Sequence, residues 1–257
     1  MSSKVYTIQS YNAAGFGDYL SMAVVVRILN DNNIPAVLDW PKIHDLVDCP
    51  KIEDVCDTGE VVFEPSVVVR HHRKQPNMTF YSDLIKSFKH QKGIEGDINI
   101  DIDAVPIIYK DIPDIKGVDV SLVTKSAPFA PYRDWPYFNE LKDLFKENGI
   151  SYIDLTEEGL KNFKFLNYVK KSKVYLGLET GSSHYASSLI KDKGFIIQSG
   201  YCDFEYWAAH YNYEKIEHRM HCAPCWKRRD CGEDHKCMRE ISPQRVFEVV
   251  RARLKRD

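Results

Sequence analysis

A chain of 257 residues has room for one large or two modest domains and ample material for a buried core. Its 35 Lys and Arg against 37 Asp and Glu leave a formal net charge of −2, which excludes a global basic field for nucleic acid; only a local patch could serve that role. An aromatic share of 12% without low-complexity tracts or internal repeats excludes the disordered and fibrous classes.

In chain order, Val5-Tyr6-Thr7-Ile8 predicts a strand, residues 9–17 a loop, and residues 19–30, led by Asp18, a helix. Residues 34–39 follow as a second strand, so the chain opens on a βαβ unit, the grammar of a parallel sheet covered by helices. Further strands are expected at residues 61–63 and 67–69. Residues 93–117, rich in Asp, Pro and isolated isoleucines, suit a connector, which places a domain boundary near Gly117 and domains at 1–117 and 118–257. The second half repeats the grammar. Residues 119–124, 152–155, 173–178 and 195–198 read as strands, and 137–148, 160–171 and 184–191 as helices or their beginnings. A last helix runs to about Leu254, with Ser242 as N-cap and Pro243 at its first position.

Near the C-terminus, Cys222, Cys225, Cys231 and Cys237 make a C-x2-C-x5-C-x5-C cluster within residues 222–237. Four thiolates at that spacing can surround Zn²⁺ or iron, since both accept four sulfurs tetrahedrally; two disulfides are the alternative. The Met-Ser-Ser-Lys start lacks an apolar signal region, and no run approaches the roughly 18 apolar residues of a membrane span. A cytoplasmic protein with reduced thiols is therefore expected.

Two loops carry candidate chemistry. Gly15-Phe16-Gly17-Asp18 stands where a strand-to-helix loop meets the C-terminal edge of a parallel sheet: its glycines let backbone N–H groups approach a ligand, and Asp18 can act as a general base or simply cap its helix. A dinucleotide fingerprint is excluded, because Leu20 and Ser21 stand where a third small residue would be needed. Glu179-Thr180-Gly181-Ser182-Ser183-His184 again lies between a buried strand and a helix, where N–H groups and hydroxyls can hold a diphosphate, or can form an ordinary capping turn. Lys125 and Ser126 follow the strand at 119–124 and would face the same crevice. The aromatic run from Tyr201 to Tyr213 reads as packing before ligand stacking, and His71-His72-Arg73-Lys74 as a solvated basic loop.

These segments, in this order, resemble the ADP-heptose:lipopolysaccharide heptosyltransferase family, glycosyltransferase family nine. Gly15-Phe16-Gly17-Asp18 is similar to its G-x-G-D loop, Arg133-Asp134-Trp135-Pro136 to its R-W-P stretch, and Glu179 through Ala186 to its D-T-G-x-x-H-x-A turn, with Glu179 where the family has Asp. The run from Cys222 to Met238, followed by a closing helix, matches a cysteine motif of many members. The resemblance leaves about residues 40–117 unassigned and the first domain shorter than usual.

It implies a GT-B-like α/β fold of two Rossmann-like domains facing a cleft, with a C-terminal four-cysteine metal loop. It also implies an inverting glycosyltransferase without a catalytic metal, moving a heptose or other hexose-like sugar. Asp18 would be the base. Gly15, Gly17, Lys125, Thr180, Gly181, Ser182, Ser183 and His184 would bind substrate, with Lys125, Thr180 and the backbone at Gly181 on the diphosphate and His184 orienting the turn. The donor would be a nucleoside diphosphate sugar, with an ADP-sugar favoured, and the acceptor a glycan, protein or nucleic acid. Zn or Fe at Cys222, Cys225, Cys231 and Cys237 would be structural. The competing reading is a non-catalytic, metal-containing module that binds nucleic acid or a partner through Lys227-Arg228-Arg229 and residues 251–256.

Overall fold

The computed structural model describes residues 5–10, 16–39, 58–63, 80–100, 115–159, 162–187, 189, 194–202, 213–227 and 231–256. The chain divides into two compact units, one drawn mainly from Met1–Lys110 and one from Asp111–Phe204 and Tyr211–Asp257.

In the first unit, the β-branched and aromatic opening forms β1 (Val5–Ser10). It is the middle strand of a three-stranded parallel sheet in the order β2-β1-β3, with β2 at Ala36–Leu38 and β3 at Thr58–Phe63. Tyr6 stands opposite Ala36 on one side and Gly59 on the other. Helix α1 (Phe16–Asp31) connects β1 to β2 and begins earlier than the sequence pattern suggests, so Asp18 lies inside its first turn and not at the cap. Met22, Val24, Val25, Val26, Ile28 and Leu29 are all buried, the all-round burial of a helix enclosed by other elements. Asn33 ends it by taking the positive φ (59°) usually left to glycine, and the Ile34 N–H returns to the Leu29 carbonyl at 2.9 Å. Asn30 then pins the next strand, donating to the Ala36 carbonyl (2.8 Å) and accepting from its N–H (3.2 Å).

Helix α2 (Phe80–Lys92) was not expected from the sequence. It buries Tyr81, Leu84, Ile85 and Phe88, an i, i+3, i+4, i+7 stripe, and Phe88 meets Tyr6 edge-on at 5.3 Å. Ser82, Asp83, Lys86 and Ser87 between these positions dilute the stripe in a linear reading. The strand expected at residues 67–69 and the basic run His71-His72-Arg73-Lys74 lie outside the described residues.

The second unit holds a five-stranded parallel sheet in the order β5-β4-β6-β7-β8. These strands are β4 (Val120–Leu122), β5 (Tyr152–Asp154), β6 (Val174–Leu178), β7 (Gly194–Gln198) and β8 (Tyr213–Glu217). β6 and β7 are buried along their whole length, as strands covered on both faces are. β8 is not among the strands expected from the sequence: its Glu214, Lys215 and Glu217 leave no apolar run, and such charged residues are what a sheet edge tolerates.

Helices α3 (Phe138–Glu147), α4 (Asn162–Lys171), α5 (Gly181–Ser187), α6 (Lys236–Arg239) and α7 (Pro243–Leu254) complete the unit. Helix α3 stops at Gly149, whose φ of 66° lets the Ile150 N–H reach back to the Phe145 carbonyl at 2.9 Å. Helix α7 starts as its sequence predicts, with the Ser242 hydroxyl accepting from the Arg245 N–H at 3.3 Å and Pro243 in the first turn. Phe138, Leu141 and Phe145 of α3 and Val246, Phe247 and Val250 of α7 pack in one core with Val120, Leu122, Leu176 and Phe195. Truncating Phe145 to alanine would cost about 3–5 kcal/mol. Trp135, also buried there, donates its indole N–H to the Ile241 carbonyl at 2.9 Å, tying the segment before α3 to the start of α7.

Candidate functional site

In the five-stranded sheet the chain leaves β4 towards β5 on one side and returns to β6 on the other. The carboxyl ends of β4 and β6 therefore flank a topological switch point, where open α/β sheets place ligands. The loop after β4 carries Lys125 and Ser126, and the turn after β6 carries Glu179 to Ser183, so the fold brings the two segments singled out in the sequence to one edge.

The turn is shorter than expected. Helix α5 begins at Gly181, not His184, because small residues fit a first helical turn laid against β6 and β7; the Ser183 N–H bonds the Thr180 carbonyl at 3.1 Å. The buried Ser183 hydroxyl points inward, donating to the Leu178 carbonyl (2.5 Å) beside the Tyr175 hydroxyl (3.0 Å). Tyr213 donates to the Ser183 carbonyl at 2.7 Å. A Cβ on Gly177 or Gly194 would collide with the Tyr175 or Tyr213 ring, so these two glycines make room for the braces. Burial pushes the Tyr175 phenol upward, so it stays a neutral strut. The Thr180 Oγ1 is different: it is buried and has no hydrogen-bond partner in the protein. Gly181 and Ser182 are half-buried beside it.

Arg133 closes the other side. It ends the short 3₁₀ turn Pro131–Arg133, donates Nη1 to the Glu179 carbonyl at 3.0 Å and sets Nη2 3.3 Å from the Glu179 carboxylate. The rings of Tyr132 and Tyr201 lie 5.4 and 5.3 Å from the guanidinium carbon. Burial alone would lower the pKa of Arg133, but the Glu179 charge reverses the sign and holds it protonated. The Ser199 hydroxyl (3.4 Å) and the Cys202 thiol also donate to the Glu179 carboxylate. Lys125 is mostly exposed and stands 3.7 Å from Asp134, a loose surface pair. Asp134 accepts from the Ser126 N–H at 2.7 Å, and the Ser126 hydroxyl donates to the Ala130 carbonyl at 2.6 Å, which folds this loop on itself. Burial and the neighbouring Arg133 charge push the His184 imidazole down to about 4, so it is neutral at physiological pH.

Tyr201 is packing, as expected: it is buried, 4.6 Å from Tyr132 and 5.6 Å from Trp226 between ring centroids. Of the first candidate loop, Gly15 lies outside the described residues, while Gly17 and Asp18 are in the first turn of α1, whose strand β1 is the middle of its own parallel sheet. The central roles of Arg133 and Glu179 are not visible in composition. The available signal was an Arg two residues before Trp135-Pro136 and an acid directly before Thr180.

Cys222, Cys225, Cys231 and Cys237 are free thiols, partly exposed, and line one small cavity with Gly200 and Tyr201. The two-disulfide arrangement is thus not formed. The His235 N–H points at the Cys231 sulfur (3.4 Å), and burial, together with the other three cysteines, pushes the Cys237 thiol up. Among the described residues no group of three His, Cys, Asp or Glu is drawn together closely enough to hold a metal ion. The donor set, four thiols around one cavity with an N–H aimed at sulfur, still fits a soft metal. No helix among the described residues is long and apolar enough to cross a membrane.

No protein-family model and no curated protein sequence matches this chain. Solved structures share its fold along nearly its whole length. The dodecameric iron-containing heptosyltransferase TibC, in complex with ADP-D-β-D-heptose, matches with a TM-score of 0.59 and 14% identity over 98% of this chain and 76% of its own. A second TibC structure, from enterotoxigenic E. coli H10407, matches with a TM-score of 0.61 and 13% identity over 97% of this chain and 76% of its own. E. coli ADP-heptose LPS heptosyltransferase II gives 0.55 and 11% over 98% and 99%, respectively. A glycosyltransferase family 9 protein from Veillonella parvula gives 0.57 and 10% over 98% and 97%. The chain has the heptosyltransferase-like α/β fold with parallel sheets; at these identities the likeness is one of fold.

Proposed function

We propose that this protein is a glycosyltransferase that moves a heptose or other hexose-like sugar from a nucleoside diphosphate sugar, with ADP as the favoured nucleotide, to an acceptor hydroxyl. The observation that carries the reading is the Thr180 hydroxyl, buried without a protein partner at the switch point of a heptosyltransferase-like sheet. A buried hydroxyl left unbonded costs about 1–3 kcal/mol, and a ligand oxygen there would recover it.

In this reading the diphosphate lies against Thr180 and the Gly181 backbone, with Lys125, exposed at the surface and only loosely paired, closing over its charge. Gly181 and Ser182 leave space for that approach, while Ser183 and His184 act from behind, holding the helix start. Asp18 takes the proton from the acceptor hydroxyl as its oxygen bonds to the anomeric carbon; the bond from that carbon to the phosphate oxygen breaks with inversion, and the nucleoside diphosphate leaves with the electron pair. Gly15 and Gly17 would admit the acceptor to Asp18. No step calls on a metal.

Cys222, Cys225, Cys231 and Cys237 hold Zn or Fe as a structural cross-link in the same reading, drawing their loop together around Gly200. Among the solved structures of this fold, TibC is described as iron-containing and as binding ADP-D-β-D-heptose.

The experiment is a panel of ADP-, GDP- and UDP-sugars, with calorimetry and turnover measured on the wild type and on Asp18→Asn. Donor binding retained with transfer lost in Asp18→Asn is the expected result. Full activity in that variant would remove Asp18 as base, and absence of binding to every member would remove the donor site.

A further inference from the structure

Glu179 carries a charge at 9% side-chain exposure, which a protein tolerates only when the charge is bonded on several sides. Its donors come from two other loops at the same sheet edge. Arg133, in the loop after β4, holds both the Glu179 carboxylate and its carbonyl, so one planar guanidinium fixes side chain and backbone together. Ser199 and Cys202, in the loop after β7, donate to the two carboxylate oxygens. Since β4, β6 and β7 are neighbours in the sheet, this one carboxylate joins three consecutive carboxyl-end loops. All its bonded oxygens are turned to protein donors, and the residue that follows it is Thr180, whose hydroxyl has none.

We propose that Glu179 is a positioning residue of the nucleotide-binding turn, tying the loops after β4, β6 and β7 together so that Thr180 and Gly181 keep the place a diphosphate requires. The inference rests on the donor-site reading above. It assigns Glu179 a role through the turn and not through the sugar, and gives Arg133, Ser199 and Cys202 supporting parts in it. An Asp at this position would set its carboxylate one methylene closer to its own backbone, further from Cys202 and Arg133.

The test is calorimetric titration of ADP into wild type, Glu179→Gln, Glu179→Asp, Cys202→Ala and the Cys202→Ala/Glu179→Gln double variant, with a thermal melt of each. Loss of a buried charge-assisted bond predicts ADP weakened about tenfold in Glu179→Gln and about threefold in Cys202→Ala and Glu179→Asp. Because Cys202 acts through Glu179, the double variant should bind no more weakly than Glu179→Gln alone. Should Glu179→Gln fail to fold, Cys202→Ala and Glu179→Asp decide the matter. A purely structural role would lower the melting temperature of these variants and leave ADP affinity within twofold of wild type; that result, or independent multiplication of the two effects, overturns the proposal. Failure of wild type to bind ADP overturns the donor-site reading itself, and is thereby distinguished from failure of Glu179 alone.

Discussion

Nη2 of Arg133 lies 3.3 Å from Oε1 of Glu179, across 46 positions of sequence, with only 20% and 9% of the two side chains exposed. Removing one member strands the other in a poorly hydrated place. Arg133→Met should therefore cost about 3 kcal/mol in urea unfolding, and Arg133→Lys less, since an ammonium keeps the charge but not the fork that meets carboxylate and carbonyl together. Equal stability of wild type and Arg133→Met would show that the pair is solvated.

Thr180→Val offers opposite signs in two measurements. Removing an unpartnered buried hydroxyl should leave stability unchanged or raise it by up to about 1 kcal/mol, whereas ADP affinity should fall several-fold. A drop in stability with unchanged ADP binding would mean that the hydroxyl serves the fold.

His184 sets a pH dependence with a defined direction. Its folded pKa of about 4 lies below the ordinary 6.5, so above pH 6.5 the residue is neutral in both states and has no effect. As pH falls from 6.5 towards 4, the unfolded chain takes up a proton that the folded chain refuses, and stability declines, by at most about 3 kcal/mol below both values. Unfolding curves of His184→Asn across this window should be flatter than wild type; identical slopes would put the imidazole in water.

The cysteine loop predicts about one Zn or Fe per chain in protein purified under reducing conditions, lost in Cys231→Ser and on treatment with a strong chelator. Because Cys225 and Trp226 donate backbone N–H groups to the Gly200 and Tyr201 carbonyls at 3.0 and 2.8 Å, metal loss should first alter Trp226 fluorescence and protease sensitivity near residues 222–237. Metal-free protein with an unchanged melting temperature would remove the structural metal.

Much of this architecture is legible without coordinates because the signals are local. Ser242-Pro243 caps a helix by a bond spanning three residues, Gly149 ends one by its own φ, and buried runs such as residues 174–178 read as strands. Helix α2 and strand β8 were missed where polar residues interrupt the pattern, the first on a one-sided helix and the second at a sheet edge. In the candidate site, Lys125 and the Thr180 turn could be named from their positions after strands. The inward aim of the Ser183 hydroxyl could not, because it depends on Tyr175 and on the Leu178 carbonyl.

By itself the sequence determined the alternation of strands and helices, the residue types at the carboxyl ends of the strands and the spacing of four cysteines, since these follow from periodicity, turn chemistry and counting. Only the tertiary structure decided which of those polar groups are occupied and which remain available. Arg133, Glu179, Ser199 and Cys202 satisfy one another because the order β4-β6-β7 sets three loops side by side, while the hydroxyl of Thr180, one residue further on, is left without a partner. Hydrogen bonds and ion pairs act over a few ångströms, and the sheet order, not distance along the chain, determines which residues come that close.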